Sequence, residues 1–157
     1  MDIILLRHAT PENAFEWSGL EQKRPLTEQG QAQMLNASSG HKKISGHVTR
    51  VFSSELTRAI QTAEFIANLY ELKVEKTSLL NPGVSIKQLV DFLSKLDEQV
   101  IYLVGHGPDM EMISTFLTGS KKLSLLFNTA SALKISNYPE LPNIDWFMPN
   151  ELITLME

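Results

Sequence analysis

Short apolar runs alternate with longer amphipathic stretches along this chain, and the pattern predicts strands and helices in turn. The runs at 3–6 and 100–104 are apolar throughout, as in parallel strands that are buried on both faces of a sheet. The run at 48–53 predicts a second strand between them. A shorter run at 72–74 predicts another strand. The runs at 132–135 and 152–155 predict antiparallel strands at the sheet edge.

The stretches between these runs predict helices. Thr27 is placed as the N-cap of a first helix, which we expect to end at the Ser-Ser-Gly sequence of residues 38–40. A second helix is predicted over 55–70, because apolar side chains recur there at spacings of three and four. The members of this stripe are Leu56, Ala59, Ile60, Ala63, Ile66 and Ala67.

Two further helices are predicted in the second half of the chain. Ser85 begins a sequence with the form of a capping box, which predicts a helix through Leu96. Pro108 suits the first turn of a helix that stops near Gly119. The alternation of strands and helices therefore predicts an α/β fold with a mostly parallel sheet.

Composition limits the class of protein. A chain of 157 residues with 43% hydrophobic and 20% charged residues is typical of one soluble domain, here 1–157. The net charge of −4 disfavours a nucleic-acid partner, and no apolar run is long enough to span a membrane. With no cysteine and no signal-peptide pattern at the N-terminus, we expect a cytoplasmic protein.

Charged and imidazole side chains follow three of the predicted strands. Arg7 and His8 come directly after the first strand, Arg58 lies one turn into the helix after the second, and His106 follows the strand at 100–104. Because the carboxyl ends of parallel strands open onto one crevice, we expect these four side chains to meet. Two guanidinium groups and two imidazoles around one cavity suit an anionic, tetrahedral group.

These residue types also suggest a chemistry. A histidine can attack phosphorus when one ring nitrogen is unprotonated and the other donates to a fixed carbonyl group. Arginines remain protonated, so they can hold phosphoryl oxygens but cannot act as bases. The pattern therefore predicts phosphoryl transfer, in which one histidine attacks and the other cations hold charge.

Three segments resemble the histidine phosphatase superfamily, which includes cofactor-dependent phosphoglycerate mutases and many phosphatases. They are the Arg7-His8 pair, residues 53–64 (SSELTRAIQTAE) and residues 104–107 (VGHG). The resemblance implies a three-layer α/β/α sandwich, no metal or other cofactor, and a covalent intermediate on His8. It also implies a phosphate pocket of Arg7, Arg58 and His106.

Within the superfamily, the chain is most similar to the small bacterial phosphohistidine phosphatases. The similarity lies in its short length, in residues 24–30 (RPLTEQG) and in residues 128–132 (NTASA). Arg24 either enters the pocket from its loop or pairs with Glu21 or Glu28. Thr10 is a further candidate accessory residue of the site.

The sequence departs from the family pattern at two places. Ala9 replaces the glycine that usually follows the nucleophile, which would cost about 1 kcal/mol if this position needs a positive φ. In addition, residues 78–83 contain no carboxylate, and Gly107 rather than an aspartate follows His106. The spare acidic residues nearby in sequence, which we expect to be solvated, are Glu12, Glu16, Asp109 and Glu111.

The two remaining histidines, His41 and His47, are expected to be polar residues of the surface or of loop ends. A zinc site is rejected, because no His-Glu-x-x-His pattern or cysteine pair completes a ligand set with His8 and His106.

Three functions remain open from the sequence. The first is a phosphatase acting on phosphohistidine in proteins, with a histidine-containing phosphotransfer domain as one possible partner. The second is a phosphomonoesterase or mutase acting on small phosphorylated metabolites, and the third is a binding module for phosphate or phosphoproteins that has lost turnover. Only about 27 residues separate positions 72 and 100, which leaves little room for a segment that encloses a small substrate and favours a protein substrate.

Overall fold

Six strands form one sheet in the part of the chain that the computed structural model describes, residues 1–120 and 123–156. The strands are β1 (Asp2–Arg7), β2 (Arg50–Ser53), β3 (Val74–Lys76), β4 (Val100–Gly105), β5 (Ala132–Ser136) and β6 (Asn143–Met148). They lie in the order β3-β2-β4-β1-β5-β6. The first four strands are parallel to one another, whereas β5 and β6 run antiparallel at one edge.

Helices cover both faces of this sheet. They are α1 (Glu28–Ile44), α2 (Thr57–Leu69), α3 (Ile86–Leu93), α4 (Asp109–Leu117) and α5 (Asn150–Ile153). Successive side chains of a strand point to opposite faces, so Ile4 and Leu6 of β1 pack with α1, α2 and α5. Ile3 and Leu5 pack with α3 and α4 on the other face. The predicted α/β/α sandwich with a mostly parallel central sheet is therefore confirmed.

The strand order brings the candidate residues to one edge of the sheet. β1 and β4 are adjacent, and Arg7 at the end of β1 pairs with Gly105 at the end of β4. Strand β2 lies on the other side of β4, where Ser53 pairs with Val104. The loops after β1, β2 and β4 therefore leave the sheet side by side.

The predicted end of the first helix is wrong. Thr27 caps the helix by accepting a hydrogen bond from the Gly30 amide, at 3.0 Å, but the helix continues past residue 40 to Ile44. Gly40 allows close packing here, since an added Cβ would lie 2.1 Å from the Ile153 carbonyl oxygen. Tertiary packing thus retains a helix across a sequence that alone favours termination.

The C-terminal part of the chain also differs from the prediction. Residues 152–155 are not a strand, because α5 begins directly after Pro149 and includes Leu152 and Ile153. The second antiparallel strand is β6 instead. The first three residues of β6 are exposed and the rest only half-buried, so β6 has no strong apolar pattern to reveal it.

Smaller differences concern element ends. β3 covers Val74–Lys76 rather than 72–74, and α3 ends at Leu93 rather than Leu96. Ser85 precedes α3 but its side chain makes no capping hydrogen bond. No helix within 1–120 and 123–156 has the length and apolar content needed to cross a membrane.

Candidate active site

The four predicted residues meet at the carboxyl edge of the parallel strands. The imidazole rings of His8 and His106 lie edge to face, with their centroids 5.0 Å apart. Arg58 Nε donates a hydrogen bond to His8 Nε2, at 3.3 Å. Together with Arg7 these side chains line a cavity of about 550 Å³, whose other lining residues are Pro11, Glu21, Arg24, Leu56, Pro82 and Gly107.

The contacts of His8 determine which ring nitrogen holds the proton. His8 Nδ1 lies 2.7 Å from the Ala9 carbonyl oxygen, and a carbonyl oxygen can only accept, so Nδ1 is protonated. Nε2 accepts a hydrogen bond from Arg58, so in the neutral ring this nitrogen carries no proton and keeps its electron pair. This arrangement leaves Nε2 as the nucleophilic atom of the ring.

The surroundings of His8 keep its ring neutral. Burial lowers the pKa of His8 to about 4, and the positive charges of Arg58, Arg7 and Arg24 act in the same direction. The hydrogen bond to the Ala9 carbonyl opposes this shift in pKa. At neutral pH the imidazole is therefore unprotonated at Nε2, as nucleophilic attack requires.

Arg7 is held between two backbone segments. One of its terminal nitrogens, Nη1, donates to the Phe127 carbonyl oxygen. On the other side it packs against Gly107, where an added Cβ would lie 3.2 Å from the guanidinium carbon. A larger residue at position 107 would thus push against Arg7, which explains the glycine after His106.

Glu21 was missed as a residue of the cavity. Its carboxylate lies 3.1 Å from Arg58 Nη1 and accepts from two nitrogens of Arg24, both at 2.9 Å. The hydrogen bond from Arg24 and the charge of Arg58 lower the pKa of Glu21. Arg24 therefore does both things considered from the sequence, since it lines the cavity and pairs with Glu21. The short 3-10 turn over Glu21–Lys23 brings this carboxylate to the cavity, and no apolar pattern reveals such a turn.

His106 is buried beside His8, with 3% of its surface exposed. Its Nε2 lies 2.8 Å from Ser54 Oγ. Burial, together with the nearby His8, Arg58 and Arg7, lowers the pKa of His106 to about 3. The His106 ring is therefore neutral in this arrangement at physiological pH.

The other acidic residues considered from the sequence do not line the cavity. Asp109 is buried and accepts from the Gly83 amide, at 2.9 Å. Glu111 accepts from the Phe127 amide, at 3.0 Å. Among the residues that the structure describes, Glu21 is thus the one carboxylate at the cavity, and its lowered pKa makes it a poor proton donor.

The two remaining sequence-based questions concern Thr10 and Ala9. Thr10 Oγ1 donates to Gln33 Oε1, at 2.9 Å, and lies 3.1 Å from Thr129 Oγ1. This side chain therefore links its loop to α1 and to the loop before β5, outside the cavity lining. Ala9 is buried and is not among the non-glycine residues with positive φ. The alanine is therefore accommodated without the strain considered above.

The two remaining histidines differ in their burial. His47 is exposed, as predicted. His41 is fully buried, and its Nδ1 lies 3.0 Å from the Tyr102 hydroxyl, so the prediction of a surface residue is wrong because α1 continues through this position. Within residues 1–120 and 123–156, no three His, Cys, Asp or Glu side chains cluster as metal ligands.

Solved structures with the same fold include several phosphatases. The protein histidine phosphatase SixA, in complex with tungstate, superposes with a TM-score of 0.85 at 19% identity, over 98% of this chain and 99% of that one. A phosphoserine phosphatase mutant from Entamoeba histolytica, with phosphoserine bound, has a TM-score of 0.71 at 17% identity, over 96% and 98% of the two chains. A mycobacterial glucosyl-3-phosphoglycerate phosphatase with VO3 has a TM-score of 0.70 at 18% identity, over 92% and 97%.

Sequence comparison gives the family. No curated protein matches the chain in sequence. The model of the histidine phosphatase superfamily (branch 1) matches residues 3–81, half of the chain, and this region contains Arg7, His8 and Arg58. With these residues meeting His106 in one cationic cavity of the expected fold, the chain belongs to branch 1 of the histidine phosphatase superfamily.

Proposed function

We propose that this protein is a phosphatase that hydrolyses phosphohistidine in proteins through a phosphorylated intermediate on His8. The observation that carries the proposal is the orientation of His8. Its Nδ1 is fixed by the Ala9 carbonyl, and its Nε2 is unprotonated and lies among the guanidinium groups of the cavity. The proposed reaction requires no metal.

In the first step, His8 Nε2 attacks phosphorus and a new P–N bond forms. The P–N bond of the substrate phosphohistidine breaks, and the released imidazole takes its proton from solvent. Arg7 and Arg58 would hold the phosphoryl oxygens, whose negative charge must be balanced during transfer.

In the second step, water attacks the phosphorus on His8. The P–N bond to His8 breaks, inorganic phosphate leaves with the oxygen from water, and neutral His8 is restored. A phosphoryl dianion beside His106 would raise the pKa of this histidine, because an adjacent negative charge favours the protonated ring.

Among the residues that the structure describes, none at the cavity is a suitable proton donor, and this supports phosphohistidine as the substrate class. An alkyl phosphate ester expels an alkoxide, which needs a positioned proton donor worth about 10²–10⁴ in rate. The carboxylate at the cavity, Glu21, is held ionised by Arg24 and Arg58. Imidazole is a better leaving group, so a site with this composition suits phosphohistidine.

The test compares substrates on one enzyme. We expect kcat/KM for a phosphohistidine peptide to exceed that for phosphoserine or 3-phosphoglycerate by at least about 10². Activated aryl phosphates should lie between, since their leaving groups also need little protonation. Equal or faster turnover of an alkyl ester would refute the proposed substrate class and would indicate an acid not recognised at the site.

The geometry also favours an enzyme over a module that only binds phosphate or phosphoproteins. Ala9 is accommodated without positive φ, and His8 Nε2 contacts a hydrogen-bond donor rather than a blocking group. A steady-state assay of the protein against His8→Ala decides between the two. Equal hydrolysis by both proteins would contradict the catalytic role of His8.

A further inference from the structure

A second and more apolar depression lies beside the catalytic cavity. This α4 groove is formed chiefly by Ile86, Pro108, Met112 and Phe116, and it encloses about 850 Å³. Met112 and Phe116 are 43% and 56% exposed. They are four residues apart on α4, so they present one continuous apolar stripe to solvent.

The α4 groove adjoins the catalytic cavity at the start of α4. Gly107 lines the cavity, and Pro108, the next residue, lines the groove. From there the groove follows α4, whose nine residues span about 13 Å. A protein that presents a phosphorylated side chain to His8 would therefore place its neighbouring surface over this groove.

The chemistry of the groove indicates what would fit there. Its acidic lining residue, Glu111, is engaged with the Phe127 amide, and the exposed side chains on α4 are apolar. An amphipathic helix laid into such a groove buries apolar residues at helical spacing. The length and composition thus suit one apolar helix face of two to three turns.

We infer that the α4 groove docks the phosphohistidine-bearing protein, through an apolar helix face beside its phosphorylated residue. This inference rests on the proposed function. The groove would contribute affinity for the protein, while the reaction itself proceeds in the adjacent cavity. Substrates without a protein surface would not use it.

The experiment measures two substrates on each protein. The protein substrate is a helical histidine phosphotransfer domain phosphorylated with phosphoramidate, and the small substrate is free phosphohistidine. In Met112→Gln/Phe116→Gln we expect kcat/KM for the protein substrate to fall at least about tenfold, mainly through KM, with the small substrate changed less than about twofold. Leu35→Gln, which alters a 66% exposed leucine on α1, is the control and should change neither.

The outcomes separate the two proposals. If the unmodified protein turns over neither substrate, the proposed function fails. If it turns over both and the double variant retains full activity on the protein substrate, the docking inference alone is overturned. Sedimentation of the unmodified protein as a dimer that dissociates in the double variant would also overturn it, because the groove would then be covered by a second copy.

A separate inference concerns Asn81, which reaches His106 through Ser54. The Asn81 side-chain oxygen accepts from the Glu55 amide, at 2.9 Å, and its Nδ2 donates to the Glu55 carboxylate, at 3.0 Å. These two contacts fix the orientation of the side-chain amide, since a backbone N–H can only donate and a carboxylate can only accept.

The fixed amide determines the direction of the next hydrogen bond. Ser54 Oγ lies 2.9 Å from Asn81 Oδ1, so the hydroxyl hydrogen must point to Asn81. Ser54 Oγ then has only acceptor capacity left, and it accepts from the Leu56 amide, at 3.3 Å. Its remaining neighbour, His106 Nε2 at 2.8 Å, must donate.

We propose that Asn81 is a positioning residue that places the proton of neutral His106 on Nε2, through Ser54. His106 Nδ1 is then unprotonated, and it is buried without a hydrogen-bond partner among residues 1–120 and 123–156. Proton uptake by His106 is thereby confined to Nδ1. Asn81 would thus determine which ring nitrogen of His106 takes up a proton.

Nitrogen-15 NMR of the imidazole nitrogens tests this directly. In the unmodified protein at pH 7 we expect the shift of His106 Nε2 to be that of an N–H and the shift of Nδ1 to be that of a bare nitrogen. The opposite pattern would overturn the proposal without any variant. Asn81→Leu removes the acceptor for Ser54, so we expect mixed tautomers and at least about a tenfold loss of kcat/KM. Asn68→Leu on the exposed side of α2 is the control.

Asn81→Asp provides a conservative variant. The carboxylate still accepts from Ser54, so the proton should remain on Nε2, but the added negative charge should raise the pKa of His106 by about one unit. A shift of the His106 titration to higher pH with the Nε2 proton retained supports the positioning role. If neither Asn81 variant changes the titration or the tautomer of His106, other contacts determine where its proton lies.

Discussion

The Glu21 carboxylate lies 3.1 Å from the Arg58 guanidinium, at the cavity that His8 and His106 line. Glu21 is largely exposed, whereas Arg58 is buried. A phosphoryl group that binds Arg58 would meet this negative charge. Glu21 thus neutralises part of the positive charge of the cavity. An anionic ligand must bind against its repulsion or displace it.

Replacing Glu21 should therefore strengthen the binding of anions. In Glu21→Gln we expect the inhibition constant for vanadate to fall about two- to fivefold, in keeping with the modest strength of exposed ion pairs. Glu16→Gln removes an exposed carboxylate from the same loop and should have no effect. Weaker vanadate binding in Glu21→Gln would mean that Glu21 positions the arginines instead of competing with the ligand.

Loss of His8 should abolish the covalent intermediate. Acid-quenched protein is expected to carry a phosphate that is labile in acid and stable in base, and His8→Ala should carry none. His47→Ala, an exposed histidine outside the cavity, should label normally. Full activity of His8→Ala would exclude the proposed mechanism.

Arg7 and Arg58 should contribute through bidentate contacts with the phosphoryl oxygens. Arg58→Lys retains the charge but loses the planar pair of donors. We expect kcat/KM to fall roughly 30- to 900-fold, which corresponds to a loss of about 2–4 kcal/mol of transition-state stabilisation. Arg50→Lys, which alters an arginine paired with Glu75 away from the cavity, should leave kcat/KM unchanged. A loss of kcat/KM below threefold in Arg58→Lys would mean that other groups hold the phosphoryl oxygens.

Activity should not depend on a divalent cation. In the proposed mechanism Arg7 and Arg58 supply the positive charge that magnesium supplies to kinases. Chelator should therefore leave the rate unchanged, and vanadate, which resembles pentavalent phosphorus, should inhibit. Turnover that is lost with chelator and restored by added zinc or magnesium would contradict this expectation.

Stability should decrease as the solution becomes mildly acidic. Burial holds the pKa of His8 and of His41 at about 4 and that of His106 at about 3, below the unfolded value of about 6.5. As pH falls from 6.5 towards 4, the unfolded chain takes up protons that the folded protein does not. The free energy of unfolding should therefore fall, by up to about 1.4 kcal/mol per pH unit for each histidine.

Urea denaturation between pH 7 and 5 measures this slope. His41→Gln removes one of the three groups and should make the slope shallower, while leaving the cavity residues in place. An unchanged slope in His41→Gln would mean that His41 has the same pKa in the folded protein as in the unfolded chain.

The parts predicted well from the sequence are those with strong local periodicity. The apolar stripe of α2 packs on one face of the sheet, and β1 and β4 contribute apolar side chains to both faces. Burying such patterns leaves few alternative secondary structures. Because parallel strands share an edge for their carboxyl ends, the convergence of Arg7, His8, Arg58 and His106 also followed from the order of elements.

The parts predicted poorly depend on contacts distant in sequence. Glu21 reaches the cavity through a short turn whose path is set by the loop around it. The continuation of α1 depends on packing of Gly40 against Ile153. Likewise, the link from Asn81 to His106 requires three segments to be placed together before any of its hydrogen bonds can form.

The pairing of Arg7 with Gly105 has a consequence for how activity arises during folding. β1 hydrogen-bonds to β4 on one side and to β5 on the other, so the strand nearest the N-terminus completes the middle of the sheet only when the later strands are present. Closing so long a loop is entropically costly and slow compared with local structure. His8 and His106 therefore come together only with the assembled sheet, and hydrolysis can serve as a direct assay of complete folding, with no activity expected from an emerging chain that ends before β4.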